Sequence, residues 1–490
     1  MKKHFIVYAL LCFCFQVASA QTVEWSNQQK TKNKTFYTQI LGENSSGVFI
    51  ARTRNSDFRS EIVIEKYKAN LSQELGKDLP QPENSIVERV IVTETGLMQF
   101  ILVKNASTSK IELHLIEFDN TLNQIGAKTL FNLDGKLAAD RKLFIKPSAD
   151  KKSYTIFFIT PNADNTKSAI NVYGYDASFA LKYNRKFGLN SSTENVSLNN
   201  VECDNQGNVF ALLSLPKDDK KITERGRKYF LYSYFPATDN MLEYDVAKDS
   251  VYVNEIGMVV NNYANTLNIA GFYSDKPDRI CAGTVYCKFD IKSAEMAVKT
   301  LEPIDLGFSS KIAGTMMNER SPKLTDLYIR KLVANSDGGC TIIAEKYYET
   351  KQSYTYTVNG FPQTNFRTIY NYDEIVVIAK NADGTNRFKD FIKKNQTSMT
   401  DGGYYSSFVT LLANNKIGIV YNLDVVNEGD VMLTTISSKG VFDNKVLIKS
   451  MSYFATIMPL ESKQVSGNSA IICTLKDRRF CLMKIGRAHV

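Results

Sequence analysis

The chain has 490 residues, 43% of them hydrophobic, with 60 Lys and Arg against 51 Asp and Glu for a formal net charge of +9. Acids and bases are interspersed, so the excess makes no electrostatic footprint for nucleic acid. Only three histidines occur, His4, His114 and His489; with the leader and the last six residues set aside, as argued below, only His114 is left, which excludes a multi-histidine zinc centre.

The chain opens as an export signal. Lys2 and Lys3 precede an almost wholly apolar run from Phe5 to Val17, and Ala18-Ser19-Ala20 offers a small-residue cleavage site before Gln21. A leader over residues 1–20 and a folded region over 21–484 are therefore expected. The apolar run is short for a membrane span, and no later stretch approaches about 18 uninterrupted apolar residues. No transmembrane segment is expected, and the product belongs in the periplasm, on the cell surface or outside the cell. Cys12 and Cys14 lie inside the run without a preceding lipobox, which argues against a lipid anchor. At the other end, residues 485–490 read like the translation of a common sequencing adapter and are expected to be an artefact. Setting aside Lys2, Lys3 and Arg487 leaves 57 basic residues against 51 acidic ones, a net charge of +6. It also leaves one histidine, His114, in the alternating strand pattern "KIELHLIEFD". No GxSxG, HExxH, Walker or dinucleotide glycine motif is present. Hydrolysis by those routes is disfavoured.

One grammar recurs along the chain: a β-rich run, a short polar turn, then another β-rich run. It is seen in "ENSSGVFIARTR", "IVTETGLMQFILV", "VANSDGGCTIIAEKYY", "LLANNKIGIVYN" and "VSGNSAIICTLK", with turn centres near residues 46, 95, 150, 206, 265, 337, 415 and 467. A third alternating strand follows each pair, as in "EIVIEKYKANL", "KYFLYSYFPA" and "GTVYCKFDI", and commonly a shorter fourth such as "QIGAKTLF". Sustained helical periodicity is absent, apart from a short helix predicted within residues 308–320. Four antiparallel strands per module, counted eight times, predict an all-β single propeller of seven or eight four-stranded blades. One such blade leaves two apolar faces bare, and stacking blades in a ring buries both. The last module lacks a fourth strand, while "TVEWS" precedes the first module. Pairing of residues 22–26 beside residues 479–484 would close the ring and remove its exposed edges.

The corner "DNQGN" at 204–208 could be read as a calcium loop, but it offers one carboxylate where such a loop needs several spaced oxygen ligands. Asx side chains imitate backbone turns and glycine permits positive φ, so a hairpin corner is expected. No metal site and no cofactor are expected.

The segments "GFYSD" (271–275), "DGGCTIIAEKYY" (337–348), "YDEIVVI" (372–378), "KKNQT" (393–397) and "GGYYSSF" (402–408) resemble those of uncharacterised secreted β-propeller (WD40/NHL-like repeat) proteins of Gram-negative bacteria. The resemblance implies fold and export, and no catalytic residue comes with it.

Loops between second and third strands, and between blades, are long and share one face of a propeller, which makes that face the candidate working surface. Three of its segments stand out. The loop "LPKDDKKITERGRK" is basic, with Lys220, Lys221, Arg225 and Arg227 as candidate anion contacts. Tyr404 and Tyr405 follow paired glycines. Residues 346–373 alternate towards and away from Asn359-Gly360, predicting a long hairpin with eight aromatics: Tyr347, Tyr348, Tyr354, Tyr356, Phe361, Phe366, Tyr370 and Tyr372. Their rings could pack on a neighbouring blade or stay open to a partner. A three-residue turn at 476–478 would place Cys473 opposite Cys481, within reach of a disulfide. The reading that follows is a monomeric, non-catalytic module binding a protein or glycan partner. The alternative is a carbohydrate-active enzyme, a glycan hydrolase or lyase, using a tyrosine or a carboxylate such as Glu345 or Asp401.

Overall fold

A computed structural model describes residues 23–29, 37–104, 110–133, 143–161, 167–191, 195–216, 227–247, 250–312, 324–425, 429–467 and 469–486. Among them, the strands form eight antiparallel sheets with strands paired in chain order. The first blade shows the pattern, running Tyr37–Asn44, Gly47–Thr53, Val63–Tyr67 and Gln73–Asp78. The second strand of a blade is largely buried where it lies within the sheet, as in Thr266–Ser274, whereas the fourth is half-buried to exposed, as in Glu295–Pro303. In several neighbouring blades, among them the fourth, fifth and sixth, the first strands lie side by side.

Eight apolar clusters fill the eight spaces between blades. Phe49 and Ile64 of the first blade meet Leu97 and Ile101 of the second, and the sequence of such contacts continues round to Cys473 and Leu482 of the eighth blade against Ile40 and Ile50 of the first. The ring is therefore closed by packing. It is also closed by pairing, as the sequence predicts. Glu24 pairs with Lys484 and Trp25 with Met483, so Glu24–Trp25 is the outermost strand of the eighth blade. The Ser26 amide donates to Leu482 O at 2.9 Å, and a further bridge joins Gln29 to Phe480.

The corners explain why the repeat reads so clearly. Asp204 is buried, and its Oδ1 accepts the amides of Gln206 and Asn208 at 2.9 and 2.8 Å while Oδ2 takes the Asn208 carboxamide at 2.7 Å. Gly207 has φ +84°. The loop is a hairpin corner whose carboxylate is used by its own backbone. No group of three or more His, Cys, Asp or Glu side chains among the described residues could hold a metal ion.

One expectation needs correction. The turn after the eighth blade's second strand has two residues, Asp477 and Arg478, both at positive φ, and Lys476 pairs with Arg479. Cys473 therefore faces Leu482, and Cys481 faces Thr474. One residue of register puts the two thiols on opposite faces of the sheet, and both are free and buried. The final strand is Arg479–Gly486, with Ile485 packed between the seventh and eighth blades. The helix expected within 308–320 runs Leu306–Ile312, begun by the Asp305 carboxylate accepting the Phe308 amide at 2.8 Å; the remainder of that stretch lies outside the described residues. No helix among the described residues is long and apolar enough to cross a membrane.

Candidate functional site

The sixth blade departs from its neighbours. Its second and third strands, Cys340–Val358 and Phe361–Lys380, run far beyond the sheet as a two-stranded ribbon turned by Asn359 (φ +51°) and Gly360 (φ +84°). The ribbon leaves the blade on the face that carries the longer loops. Every residue from 349 to 366 is exposed. Pairing of Tyr354 with Asn365, Tyr356 with Gln363 and Val358 with Phe361 puts these side chains on one face of the ribbon. There Tyr354 and Tyr356 stack with centroids 5.9 Å apart, Arg367 lies over Tyr354, and Phe361 is 72% exposed. Phe366 stands on the opposite face among threonines, equally open.

At the base the aromatics change role. Tyr372 is buried, Tyr347 and Tyr370 are half-buried, and Tyr348 faces the Lys346 ammonium at 5.6 Å. Tyr347 and Tyr372 lie 4.6 Å apart with Arg330 over both rings. A short strand, Gln396–Met399, pairs with Ile369–Tyr372 and widens the base. The loop that follows closes over Tyr372 at Gly403 (φ +74°), where a Cβ would sit 2.4 Å from the ring. Tyr404 and Tyr405 then turn into the cluster between the eighth and first blades, and the Tyr404 hydroxyl bonds Glu461. They are packing residues.

A buried polar network fixes this base. The Glu345 and Lys394 side chains are each 0% exposed and paired at 2.9 Å. Glu345 Oε2 also accepts Arg330 Nε at 2.9 Å and the Ser407 hydroxyl at 2.7 Å. Lys394 Nζ donates to Tyr372 O and Gln396 Oε1 at 2.8 and 3.0 Å, and Gln396 reaches on to Asn422 O of the seventh blade. Burial pulls the Lys394 ammonium below its ordinary range, and the Glu345 charge opposes that pull. Glu345 is thus sealed in protein. Asp401 accepts the Ser398 hydroxyl at 2.6 Å and the Gly403 amide at 2.9 Å, capping its own turn. The two carboxylates singled out from the sequence form no acid–base pair.

Of the basic loop, Lys220, Lys221 and Arg225 lie outside the described residues. Arg227 begins the strand Arg227–Phe235 and spends its guanidinium on Ser214 Oγ, Ser214 O and Asn195 O at 2.8, 2.6 and 2.7 Å. His114 sits on the strand Ile111–Asp119 with Glu112 Oε2 2.9 Å away.

Sequence reasoning found the innermost strands but missed the bulges in them. Five of these strands shift register between Ile40/Gly42, Val87/Arg89, Leu198/Asn200, Val253/Glu255 and Ile329/Lys331. Each bulge re-aims consecutive side chains. Two cavities result, of about 470 Å³ beside Glu88, Arg89 and Lys463 and about 490 Å³ beside Glu255, Arg330 and Lys331. Burial raises the Glu255 carboxyl to about 7, against the opposing pull of Arg330. Glu461 is likewise pushed up to about 7 by burial. Burial, rather than a second carboxylate, is the leading cause of each shift.

No family model matches the chain, and no curated protein sequence does. Solved structures do. The WD40 domain of SCAP from fission yeast is 11% identical, covering 92% of this chain and 98% of that one with a TM-score of 0.41. Chaetomium thermophilum Sqt1, solved bound to the N-terminus of the ribosomal protein L10, is 7% identical over 95% and 100% of the two chains, with a TM-score of 0.42. The polysaccharide lyase Uly1 is 10% identical over 84% and 91%, with a TM-score of 0.39. The likeness stops at the fold.

Proposed function

We propose that the chain is an exported, non-catalytic propeller that captures a protein or glycan partner through the ribbon of residues 346–373. One observation supports this reading above the rest: Tyr354, Tyr356, Phe361 and Phe366 stand exposed on a structure that projects beyond its blade. Exposed aromatic clusters mark interaction sites, because a solvated connection needs none of them. Tyrosine adds a polar tip to an apolar ring, which suits both kinds of partner. The buried Glu345–Lys394 network holds the ribbon's base rigid, lowering the entropy cost of binding at its far end.

The test removes the outer ribbon. Lys351 and Thr368 are directly paired, so deleting residues 352–367 and joining these two through Asn-Gly keeps the ladder below intact. Binding to glycan and secreted-protein arrays should be lost, with stability within about 0.5 kcal/mol of the parent, as for other exposed changes. Array binding that survives the deletion, or a large loss of stability, would overturn the reading.

A further inference from the structure

The middle of the ring gathers positive charge that the fold leaves unpaired. Arg89 comes from the second blade's first strand, Ser85–Thr93, and Lys331 from the sixth blade's first strand, Leu327–Ala334. Lys151 stands at the corner after the third blade's first strand, Phe144–Pro147, and Lys463 on the short inner strand Lys463–Gln464 of the eighth. All four are exposed. We propose that the axial space they share is a binding site for a doubly charged oxyanion, a phosphate group either free or carried on a small molecule, separate from the ribbon.

The geometry comes from the innermost strands. Arg89 and Lys463 line the cavity of about 470 Å³, and Lys331 lines that of about 490 Å³, both within the roughly 300–1,000 Å³ range of small-molecule sites. The bulges at Val87/Arg89 and Ile329/Lys331 take Arg89 and Lys331 out of the regular alternation of their strands. The charges reach one another across the axis. Desolvation pulls the Lys463 ammonium below its ordinary range, and the charges of Arg89, Lys331 and Lys151 push it the same way.

The carboxylates nearby are engaged elsewhere or held uncharged. Asp57 Oδ1 accepts the Arg59 amide at 3.1 Å, and burial raises the Glu88 carboxyl against the opposing pull of Arg59. Glu202 favours the Arg89 charge but is paired with Lys146 at 3.2 Å. Burial raises Glu255 to about 7. Asp150, next to Lys151, accepts the Ser148 hydroxyl at 2.7 Å and the Lys152 amide at 3.1 Å at its own corner. Arg330, the other cation of the second cavity, is committed to Glu345 at 2.9 Å. None of Arg89, Lys151, Lys331 and Lys463 forms an ion pair with a described residue. Arg89 Nη1 donates to Ile145 O at 2.6 Å and Lys463 Nζ to Leu41 O at 3.0 Å. Those neutral acceptors hold the two heads in place without cancelling their charge.

The ligand class follows from that surplus. Like charges lining an enclosed space focus a positive field within it. A singly charged ligand would offset one cation in four, whereas a phosphate group carries about two charges and several acceptor oxygens for donors converging from different blades. Arg89 keeps N–H groups beyond the one given to Ile145, and Lys331 makes no side-chain hydrogen bond to a described residue. Donors and charge are both left over for an oxyanion.

The experiment titrates the full chain with inorganic phosphate, glucose 6-phosphate, acetate and glucose by isothermal calorimetry, at low and at high salt. At least one of the two phosphates should bind, more weakly as salt rises. Binding of inorganic phosphate identifies the free ion as sufficient, and binding of glucose 6-phosphate alone identifies a carried group. Lys331→Gln and Lys151→Gln should each weaken binding roughly tenfold, the scale of one lost charge-assisted contact. Without ligand both variants should melt no lower than the parent, because each removes a like charge from the cluster. The ribbon-deleted variant should bind phosphate as the parent does, so failure of the ribbon reading and failure of this one are distinguishable. No phosphate binding at low salt, glucose or acetate binding as tightly as the phosphates, or affinity unchanged in both lysine variants would each overturn the proposal. So would variants that lose binding only together with a lower melting temperature, since that is the mark of structural lysines.

Discussion

Replacing Lys394 with methionine tests whether the buried network holds the base of the ribbon. Methionine keeps most of the side chain's volume and removes only the ammonium. Lys394 Nζ makes three contacts, to Glu345 Oε1, Tyr372 O and Gln396 Oε1. Its loss leaves the Glu345 carboxylate, 0% exposed, with Arg330 and Ser407 as its remaining partners. Breaking a buried pair by removing one member costs about 3–5 kcal/mol, because the surviving charge stays out of water. Arg330 remains at 2.9 Å and should hold the cost near the lower end. Urea unfolding reads it as a lower midpoint at unchanged slope. Adding Glu345→Gln removes the stranded charge, so the double variant should recover most of the loss, as replacements of whole buried pairs often do. Hydrogen exchange should localise the Lys394→Met defect to Gln396–Met399 and the ladder at Ile369–Tyr372. A Lys394→Met protein within about 1 kcal/mol of the parent, or a double variant no better than the single, would refute this account of the network.

Trp25→Ala should destabilise the eighth blade by about 1–3 kcal/mol, less than a fully buried tryptophan because Trp25 is only half-buried and lies under the Lys476 ammonium; an unchanged urea midpoint would contradict closure by the N-terminal strand. Glu255 has a folded pKa of about 7, raised from 4.5, so the folded state binds the extra proton. Its contribution favours folding below about pH 4.5 and is lost as pH rises through about 7, and Glu255→Gln should flatten the stability profile in that window; an identical slope in the variant would show that the carboxyl is not buried as described. The cysteines Cys203, Cys281, Cys287, Cys340, Cys473 and Cys481 are free and buried, so under non-reducing conditions they should resist alkylation when folded and all react after unfolding. A Cys473–Cys481 linked peptide in the mass spectrum would contradict the register.

Much of the fold was legible because its corners are chemical. Asp204 with Asn208 and Asn359 with Gly360 announce their turns through side chains that satisfy or permit the backbone there. The closing strand was legible because the eighth module visibly lacked a partner. The register of that module was not. Asp477 and Arg478 both take positive φ without a glycine to signal it, and a turn one residue shorter than expected reverses which face each cysteine occupies. Of the candidate site, Asn-Gly and the alternating tyrosines gave the ribbon. They did not show where it leaves the blade, so Tyr372 at its base and Phe361 at its tip looked alike. Glu345 and Lys394 are 49 positions apart in the chain, and nothing local marks either as buried.

Closure by Glu24–Trp25 also has a consequence in time. This strand is among the first of the described residues to be synthesised, yet among those residues its only strand partner is Arg479–Gly486, made after the other seven blades. Seven blades can assemble in order of synthesis while the opening segment waits. A chain stopped anywhere before residue 479 gives that segment nothing to pair with and leaves an apolar blade face and an open sheet edge exposed, the features by which incomplete β-proteins aggregate. The seam therefore makes closure of the ring wait until the eighth blade's Arg479–Gly486 strand has been made.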